Sequence, residues 1–279
     1  MIKTIDVASG ETAGLYKYLS AAVTPRPIAF VSTIDAEGNK NLSPFSFFNV
    51  FSVNPPILVF SPVRRVRNNT SKHTLDNVHQ VKECVISLVT ENIAQQVSLA
   101  SCDFDSDTNE FKKAGFTEVK SDMVTPSRIK ESPVNFECKV NKIITLGEEG
   151  GAGSLVLCEI LKMHIEESIL DENNEIDPFK LNIVSRLGSN WYGKTTKDSI
   201  YEIAKPISRM GMGMDNLPKE IRNSSILTGN ELAILASAEY IPKKKEFPLR
   251  EGKSTEEKHI LAKELLRQEK AGDAWQILL

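Results

Sequence analysis

Cysteine and histidine are scarce in this sequence, and neither type forms a cluster. The 279 residues include four cysteines and four histidines. No two cysteines form a C-x-x-C pair, and three of the four lie in apolar, strand-like runs where buried free thiols are common. No pair of histidines has metal-ligand spacing with carboxylates nearby. The sequence therefore predicts neither a disulfide framework nor a metal site.

An excess of positive charge and long apolar segments are also missing. The formal net charge is −3, whereas a protein whose main ligand is nucleic acid normally carries a basic face. No apolar run approaches the length that crosses a bilayer, and residues 1–14 lack the apolar core of a signal peptide. We therefore expect a cytoplasmic protein with no nucleic-acid or membrane partner.

The stretch 24–74 alternates β-branched and aromatic runs with turn residues. One turn is expected at residues 35–39, which are acidic and contain glycine, and another at Asn54-Pro55-Pro56. The pattern therefore predicts three consecutive strands, at residues 28–34, 41–48 and 57–60.

A cationic loop follows the third of these strands, just before a helix start that we expect near Thr74. It combines four cations with three hydroxyl side chains: Arg64, Arg65, Arg67, Lys72, Thr70, Ser71 and Thr74. Positive charge, hydroxyl donors and the start of a helix are features that together bind phosphate. The sequence therefore predicts a local phosphate site in a chain that is acidic overall.

Patterns elsewhere in the chain predict the supporting structure. Residues 134–146 and 154–166 alternate apolar and polar residues on either side of a glycine-rich link, which is typical of a long β-hairpin. The acidic stretch 103–110 is predicted to be a solvated loop. Ser9-Gly10 indicates the first turn, and the capping box Ser254-Thr-Glu-Glu257 predicts a helix that continues to about Lys270.

Several spaced motifs, in order, resemble those of the flavin reductase-like, FMN-binding split-barrel family. They are T-P-R-P-I-A with V-S-T, N-L-S-P-F-S-F-F, N-P-P, F-S-P, and K-x-T at Lys72-His73-Thr74. The resemblance covers roughly residues 15–190. It implies a mainly β fold with peripheral helices, a split β-barrel. We expect this barrel to span residues 1–195 and a helical extension, 196–279, to pack on the barrel or on a dimer partner.

The resemblance also implies which residues meet FMN, whose phosphate, ribityl chain and ring each need a matching feature. Ser43 to Ser46 are expected at the polar ring edge and the ribityl oxygens, with Phe45 against the ring, while Ser61, Lys72 and Thr74 take the phosphate. No catalytic side chain is expected, because the flavin supplies the chemistry. The candidate binding residues are Asn41, Ser43, Pro44, Phe45, Ser46, Phe60, Ser61, Lys72, Thr74 and Arg186.

Arg186 has two interpretations. It begins an Arg-Leu-Gly segment that, in the resembling family, closes the barrel near the flavin, so its charge could act on the FMN phosphate or the ring edge. It could also form a surface ion pair with the acidic stretch 171–177.

The implied activity is hydride transfer from NADH or NADPH to flavin N5 and from there to an acceptor, in a homodimer. Two alternatives are a non-enzymatic FMN-binding or electron-transfer protein, and a flavoenzyme like pyridoxamine-phosphate oxidase, since a related split barrel also binds FMN.

Overall fold

The structure, a computed structural model, describes residues 1–8, 12–203 and 210–279. They form two compact units, Met1–Tyr201 and Glu202–Leu279. The turn predicted at Ser9-Gly10 falls outside the described residues. Within the part of the chain that is described, no helix combines the length and the apolar character needed to cross a membrane.

Most strands of the first unit form one antiparallel seven-stranded sheet with the order β2-β1-β5-β8-β9-β4-β3, and the rest form two small pairs, β6-β7 and β10-β11. In chain order, the strands are β1 (Ala29–Ile34), β2 (Lys40–Phe45), β3 (Phe48–Val53), β4 (Pro56–Phe60), β5 (Glu83–Leu88), β6 (Glu118–Val119), β7 (Arg128–Ile129), β8 (Val134–Thr145), β9 (Ser154–Ile165), β10 (Val184–Arg186) and β11 (Tyr192–Lys194). The predicted long hairpin is confirmed as β8-β9.

Short helices flank the sheet of the first unit, and further helices make up the second unit. In chain order, they are α1 (Thr12–Ala22), α2 (His73–Gln80), α3 (Ala94–Leu99), α4 (Glu110–Ala114), α5 (Pro178–Leu181), α6 (Lys219–Arg222), α7 (Gly229–Ala236), α8 (Thr255–Arg267) and α9 (Ala271–Leu278). Helix α8 begins with the predicted capping box, in which Ser254 and Glu257 bond to each other's backbone N–H groups. That prediction is confirmed.

Strand β1 is buried on both faces, which explains its nearly continuous apolar sequence. Val31 points into the core between the sheet's strands, while Phe30 packs in a second core with residues of α3 and α4. The Phe30 ring meets Phe116 edge to face, with centroids 5.1 Å apart. The sheet is thus fixed between a barrel interior and a helical cover.

The strand predicted at residues 41–48 is wrong in one respect, because the chain bends at Ser46 and Phe47. Before the bend, β2 pairs with β1, and after it, β3 pairs with β4. These two pairs lie at opposite ends of the strand order, so one straight strand could not belong to both. The bend is therefore where the chain passes from one end of the sheet to the other.

A buried carboxylate ties α4 to β2 and, through β2, to α2. Glu110 accepts hydrogen bonds from Asn41 Nδ2 at 2.9 Å and from the Leu42 N–H at 3.0 Å. Thr74, at the start of α2, donates to Asn41 Oδ1 at 2.6 Å. Burial raises the pKa of Glu110, against which these hydrogen bonds act. Three elements therefore share one satisfied polar network inside the protein.

We expect Glu110→Ala to lower the free energy of unfolding by about 1–3 kcal/mol, because two buried donors lose their acceptor. Lys112→Ala, at an exposed position on the same helix, is the control and should change it by less than about 0.5 kcal/mol. Urea unfolding followed by circular dichroism measures both. Equal effects of the two substitutions would contradict a structural role for the network.

Candidate functional site

The loop between β4 and α2 is folded on itself and fastened to the β8-β9 hairpin. Arg64 donates through Nε to Asn69 Oδ1 at 2.6 Å and through Nη2 to the Asn69 carbonyl at 2.5 Å. Its backbone N–H donates to the Ala152 carbonyl at 2.9 Å. Arg64 therefore shapes the loop, and the other cations of the loop are left to act at its surface.

Three of those cations converge on one carboxylate, that of Asp103. Arg65 donates to Asp103 Oδ1 through Nε at 3.0 Å and through Nη2 at 2.9 Å, and Arg67 donates to Oδ2. Lys72 Nζ lies 4.0 Å from Oδ1. Residues 103–109 form the predicted surface loop, in which Asp103 is exposed but ion-paired with the predicted phosphate loop. The prediction is wrong at Glu110, which is only 4% exposed and begins α4.

The cations at this cluster outnumber the carboxylate that pairs with them. Three cations share one ion-paired carboxylate, although Asp76 and Asp105 also line the adjoining cleft. The pKa of Lys72 is lowered, first by its burial and then by the charge of Arg65, whereas the hydrogen bonds from Arg65 lower the pKa of Asp103. An added anion would relieve the repulsion among the cations, so the residues present fit a phosphate group.

A cleft of about 500 Å³ opens at this cluster. Its walls carry both donors and acidic groups: Arg65, Arg67, Asn68, Thr70, Ser71, His73, Asp76, Asp103, Phe104, Asp105 and Ser106. The cleft is large enough for a phosphate and part of the chain that bears it. It is too polar to hold an aromatic ring system by apolar contact alone.

The predicted phosphate ligands differ in how available they are. The Lys72 side chain is 33% exposed and reaches the cation cluster. Thr74 is fully buried, and its single O–H donates to Asn41 Oδ1, so this hydroxyl hydrogen is already used inside the protein. Ser61 is 9% exposed, and its N–H donates to the Phe47 carbonyl at 2.8 Å. Of these residues, Lys72 is the one whose side chain is placed to meet an anion.

The predicted ring contacts lie around the bend between β2 and β3. Ser43 and Pro44 are half-buried in β2, but Phe45 and Phe60 are core residues with ring centroids 5.3 Å apart. Packing in the barrel interior therefore accounts for both of these rings. Ser46 is the predicted residue that the bend places at the edge of the barrel.

Arg26, which sequence reasoning missed, joins Ser46 to Arg186. Its Nε lies 3.5 Å from Ser46 Oγ, its guanidinium stands 5.7 Å from the Phe47 ring centroid, and it is only 7% exposed. Arg26 and Arg186 also exchange two backbone hydrogen bonds, of 3.0 and 2.9 Å. Burial lowers the pKa of Arg26, and the charge of Arg186 lowers it further. The available signal was its position within T-P-R-P.

Arg186 makes contacts that favour neither of its two interpretations outright. Its guanidinium donates to the Ser189 carbonyl at 2.5 Å and stands 4.5 Å from the Tyr192 ring centroid. Among the salt bridges of the described residues, none joins Arg186 to the acidic stretch 171–177. Its backbone pairs with that of Arg26, whose side chain lies next to the bend.

Among the described residues, the thiols and the acidic clusters show no site of comparable character. All four cysteines are free, and the Sγ atoms of Cys84 and Cys158 are 3.7 Å apart in the core. Asp122, Glu137 and His164 could jointly face a cation, yet His164 Nε2 lies 2.7 Å from Glu137 Oε1 and Lys162 pairs with Asp122 at 2.6 Å. Internal partners thus already neutralise this acidic group.

Comparisons with known proteins give this arrangement a context. A model of the flavin reductase like domain matches residues 21–180. An uncharacterised protein from Aquifex aeolicus (strain VF5) is 40% identical over 190 residues, which are 68% of this chain and 93% of the relative. The family match ends before the second unit, which begins at Glu202.

Solved structures resemble the chain over a similar extent. Nitrilotriacetate monooxygenase component B from Bacillus cereus has a TM-score of 0.68 and 25% identity, covering 73% of this chain and 99% of that one. The 2-nitrobenzoate 2-nitroreductase NbaA from Pseudomonas fluorescens has a TM-score of 0.66 and 29% identity, covering 76% and 100%. One of the solved structures with the same fold is described as having a split barrel domain. The chain therefore belongs to the flavin reductase-like family, with a mainly β split-barrel fold and a helical C-terminal region.

Proposed function

We propose that this protein binds FMN and transfers hydride from NADH or NADPH to the flavin, and from there to an acceptor. Membership of a flavin reductase-like family supports flavin-related oxidoreductase chemistry. The observation that carries the choice of FMN is that three cations of one loop, Arg65, Arg67 and Lys72, converge at one place. A phosphate monoester is dianionic at neutral pH, so it can pair with such a group of cations.

Some of the other candidate residues meet further parts of the flavin in this proposal, and others support the site. Ser46, together with Arg26 and Arg186, supplies donors and positive charge for the ring's polar edge, where the reduced flavin carries negative charge. Backbone groups of Ser43 and Pro44 meet the ribityl chain, and Ser61 lies at the base of the phosphate loop. Asn41 and Thr74 hold the start of α2 in place.

The protein's own contribution is binding and orientation. When bound, the flavin supplies the hydride-accepting atom, so no side chain needs to act as a nucleophile or general base. The cation cluster would fix the phosphate end, and the bend would fix the other end of the molecule. FMN is preferred to FAD in this proposal, because an adenylate would have to continue from the phosphate into the cluster.

We expect Lys72→Ala to weaken FMN binding by about 1.5–3 kcal/mol, the scale of a charge-assisted hydrogen bond. Riboflavin, which lacks the phosphate, should bind both proteins equally well. Lys112→Ala is the control for loss of a lysine at an exposed position away from this loop. Fluorescence titration measures these affinities, and an unfolded Lys72→Ala protein would show a structural role for this residue instead.

Anaerobic addition of NADH and of NADPH to the FMN-loaded protein tests the proposed activity. Bleaching of the flavin absorbance near its visible maximum is the expected result. A protein that binds FMN firmly but is not reduced by either donor would favour the electron-transfer alternative. Oxidation of pyridoxamine phosphate, without reduction of the flavin by NADH or NADPH, would favour the alternative of a flavoenzyme like pyridoxamine-phosphate oxidase.

We also propose a homodimer that completes each flavin pocket at the interface. Strand β3 is the last in the order of the sheet and exposes three large apolar side chains: Val50, Phe51 and Val53 are 57%, 69% and 86% exposed. A long apolar edge strand of this kind favours association with another chain.

Replacing Phe51 by glutamate should therefore convert the dimer to a monomer in light scattering at micromolar concentration, because a charge would be buried at the interface. Phe179→Glu, at another exposed phenylalanine, is the control and should leave the dimer intact. A wild-type protein that is monomeric and still holds FMN would refute both the dimer and the shared pocket.

A further inference from the structure

Asp103 occupies the position that an anionic ligand of the cation cluster would take. It lies on the segment between α3 and α4, far in sequence from the loop that it contacts. Its Oδ1 atom accepts hydrogen bonds from both Nε and Nη2 of Arg65. Arg67 bonds its other oxygen. A phosphate is also commonly held by several donors from more than one arginine.

We propose that Asp103 is a built-in competitor of the flavin phosphate, which must displace it to bind. This inference rests on the proposed function and concerns how tightly the same site holds its ligand. Asp103 thereby makes FMN exchangeable, so that flavin can be released as a product and need not be retained as a permanent cofactor.

The donor inventory of Arg65 supports displacement over simultaneous binding. A guanidinium has five N–H groups. Through Nη1, Arg65 donates to Thr70 Oγ1 at 3.0 Å and to the Ser71 carbonyl, and through Nε and Nη2 it donates to Asp103. Four of the five are therefore in use, and the pair that forms a fork is held by Asp103. A phosphate can make bidentate contact with Arg65 only after that carboxylate leaves.

The position of Asp103 makes departure feasible. Its side chain is 41% exposed, so a released carboxylate can be hydrated by solvent. The hydrogen bonds from Arg65 lower its pKa, so it stays charged and competes over the whole neutral pH range. With an intramolecular competitor, the apparent affinity equals the affinity of the open site multiplied by the fraction of molecules in which the site is open.

Asp105 provides a matched comparison on the same segment. It lines the same cleft, yet among the salt bridges of the described residues none involves Asp105. Asp105→Asn removes one negative charge near the cluster without breaking the pair with Arg65. Asp103→Asn removes the same charge and weakens the competing contact to that of a neutral amide oxygen, in a side chain of nearly the same shape, whereas Asp103→Ser shortens the side chain as well.

The experiment is a titration of FMN and of riboflavin into wild type, Asp103→Asn, Asp103→Ser and Asp105→Asn, with folding checked by circular dichroism. We expect both changes at Asp103 to tighten FMN binding by about 10-fold and to slow its release, because the site no longer has to open. Asp105→Asn should change FMN affinity by less than about 2-fold. Riboflavin should bind all four proteins alike.

Two results would overturn the inference while leaving FMN binding itself established. Weaker FMN binding in both Asp103 variants would mean that the carboxylate holds the arginines in their binding geometry. Equal tightening by Asp103→Asn and Asp105→Asn would mean that only the local charge matters. Failure of the wild type to bind either flavin would instead refute the proposed function.

Discussion

Repulsion among three cations is the constraint on which the proposed site depends. Arg65, Arg67 and Lys72 share a single carboxylate, and the fold holds them near it by other means. Arg64 closes the loop on Asn69, and the hairpin tip fastens the loop through Ala152. The folding energy of the barrel thus keeps like charges together, and an anionic ligand is what relieves them.

A further cation, Arg26, lies at the bend between β2 and β3. The bend exists because the chain must pass from one end of the strand order to the other. Arg26 lies beside it, with Nε 3.5 Å from Ser46 Oγ, while its Nη1 donates to the Val23 carbonyl at 2.5 Å and to the Ser20 carbonyl at the end of α1. Arg186 is brought alongside by backbone pairing with Arg26. The same geometry that closes the sheet therefore places positive charge beside Ser46, and the barrel and the proposed ring site have a common origin.

Local sequence patterns predicted the elements whose cause is local. The β8-β9 hairpin, the capping box at Ser254 and the start of α2 near Thr74 all follow from periodicity or capping within a few residues. The cationic loop was recognisable for the same reason, since its charges are neighbours in sequence.

Contacts between distant segments were not predictable in this way. Asp103 forms an ion pair with Arg65, 38 residues away in sequence, and Glu110 accepts a hydrogen bond from Asn41, 69 residues away. A sequence pattern confined to one segment cannot show which carboxylate from a distant segment will contact it in the folded protein. Phe45 was expected against the flavin ring, but its position inside the barrel depends on the register of β2 against β1, which only the folded sheet defines. The bend at Ser46 likewise depends on how the strands pair in the folded sheet.

The salt dependence of flavin affinity tests most directly whether the cation cluster binds the phosphate. Because added salt screens exposed charges, FMN affinity should fall by at least about 10-fold when NaCl is raised from about 20 mM to about 500 mM. Riboflavin affinity should stay within about 2-fold over the same range. An FMN affinity that does not respond to salt, or a riboflavin affinity that falls in parallel with it, would contradict a phosphate site at Arg65, Arg67 and Lys72.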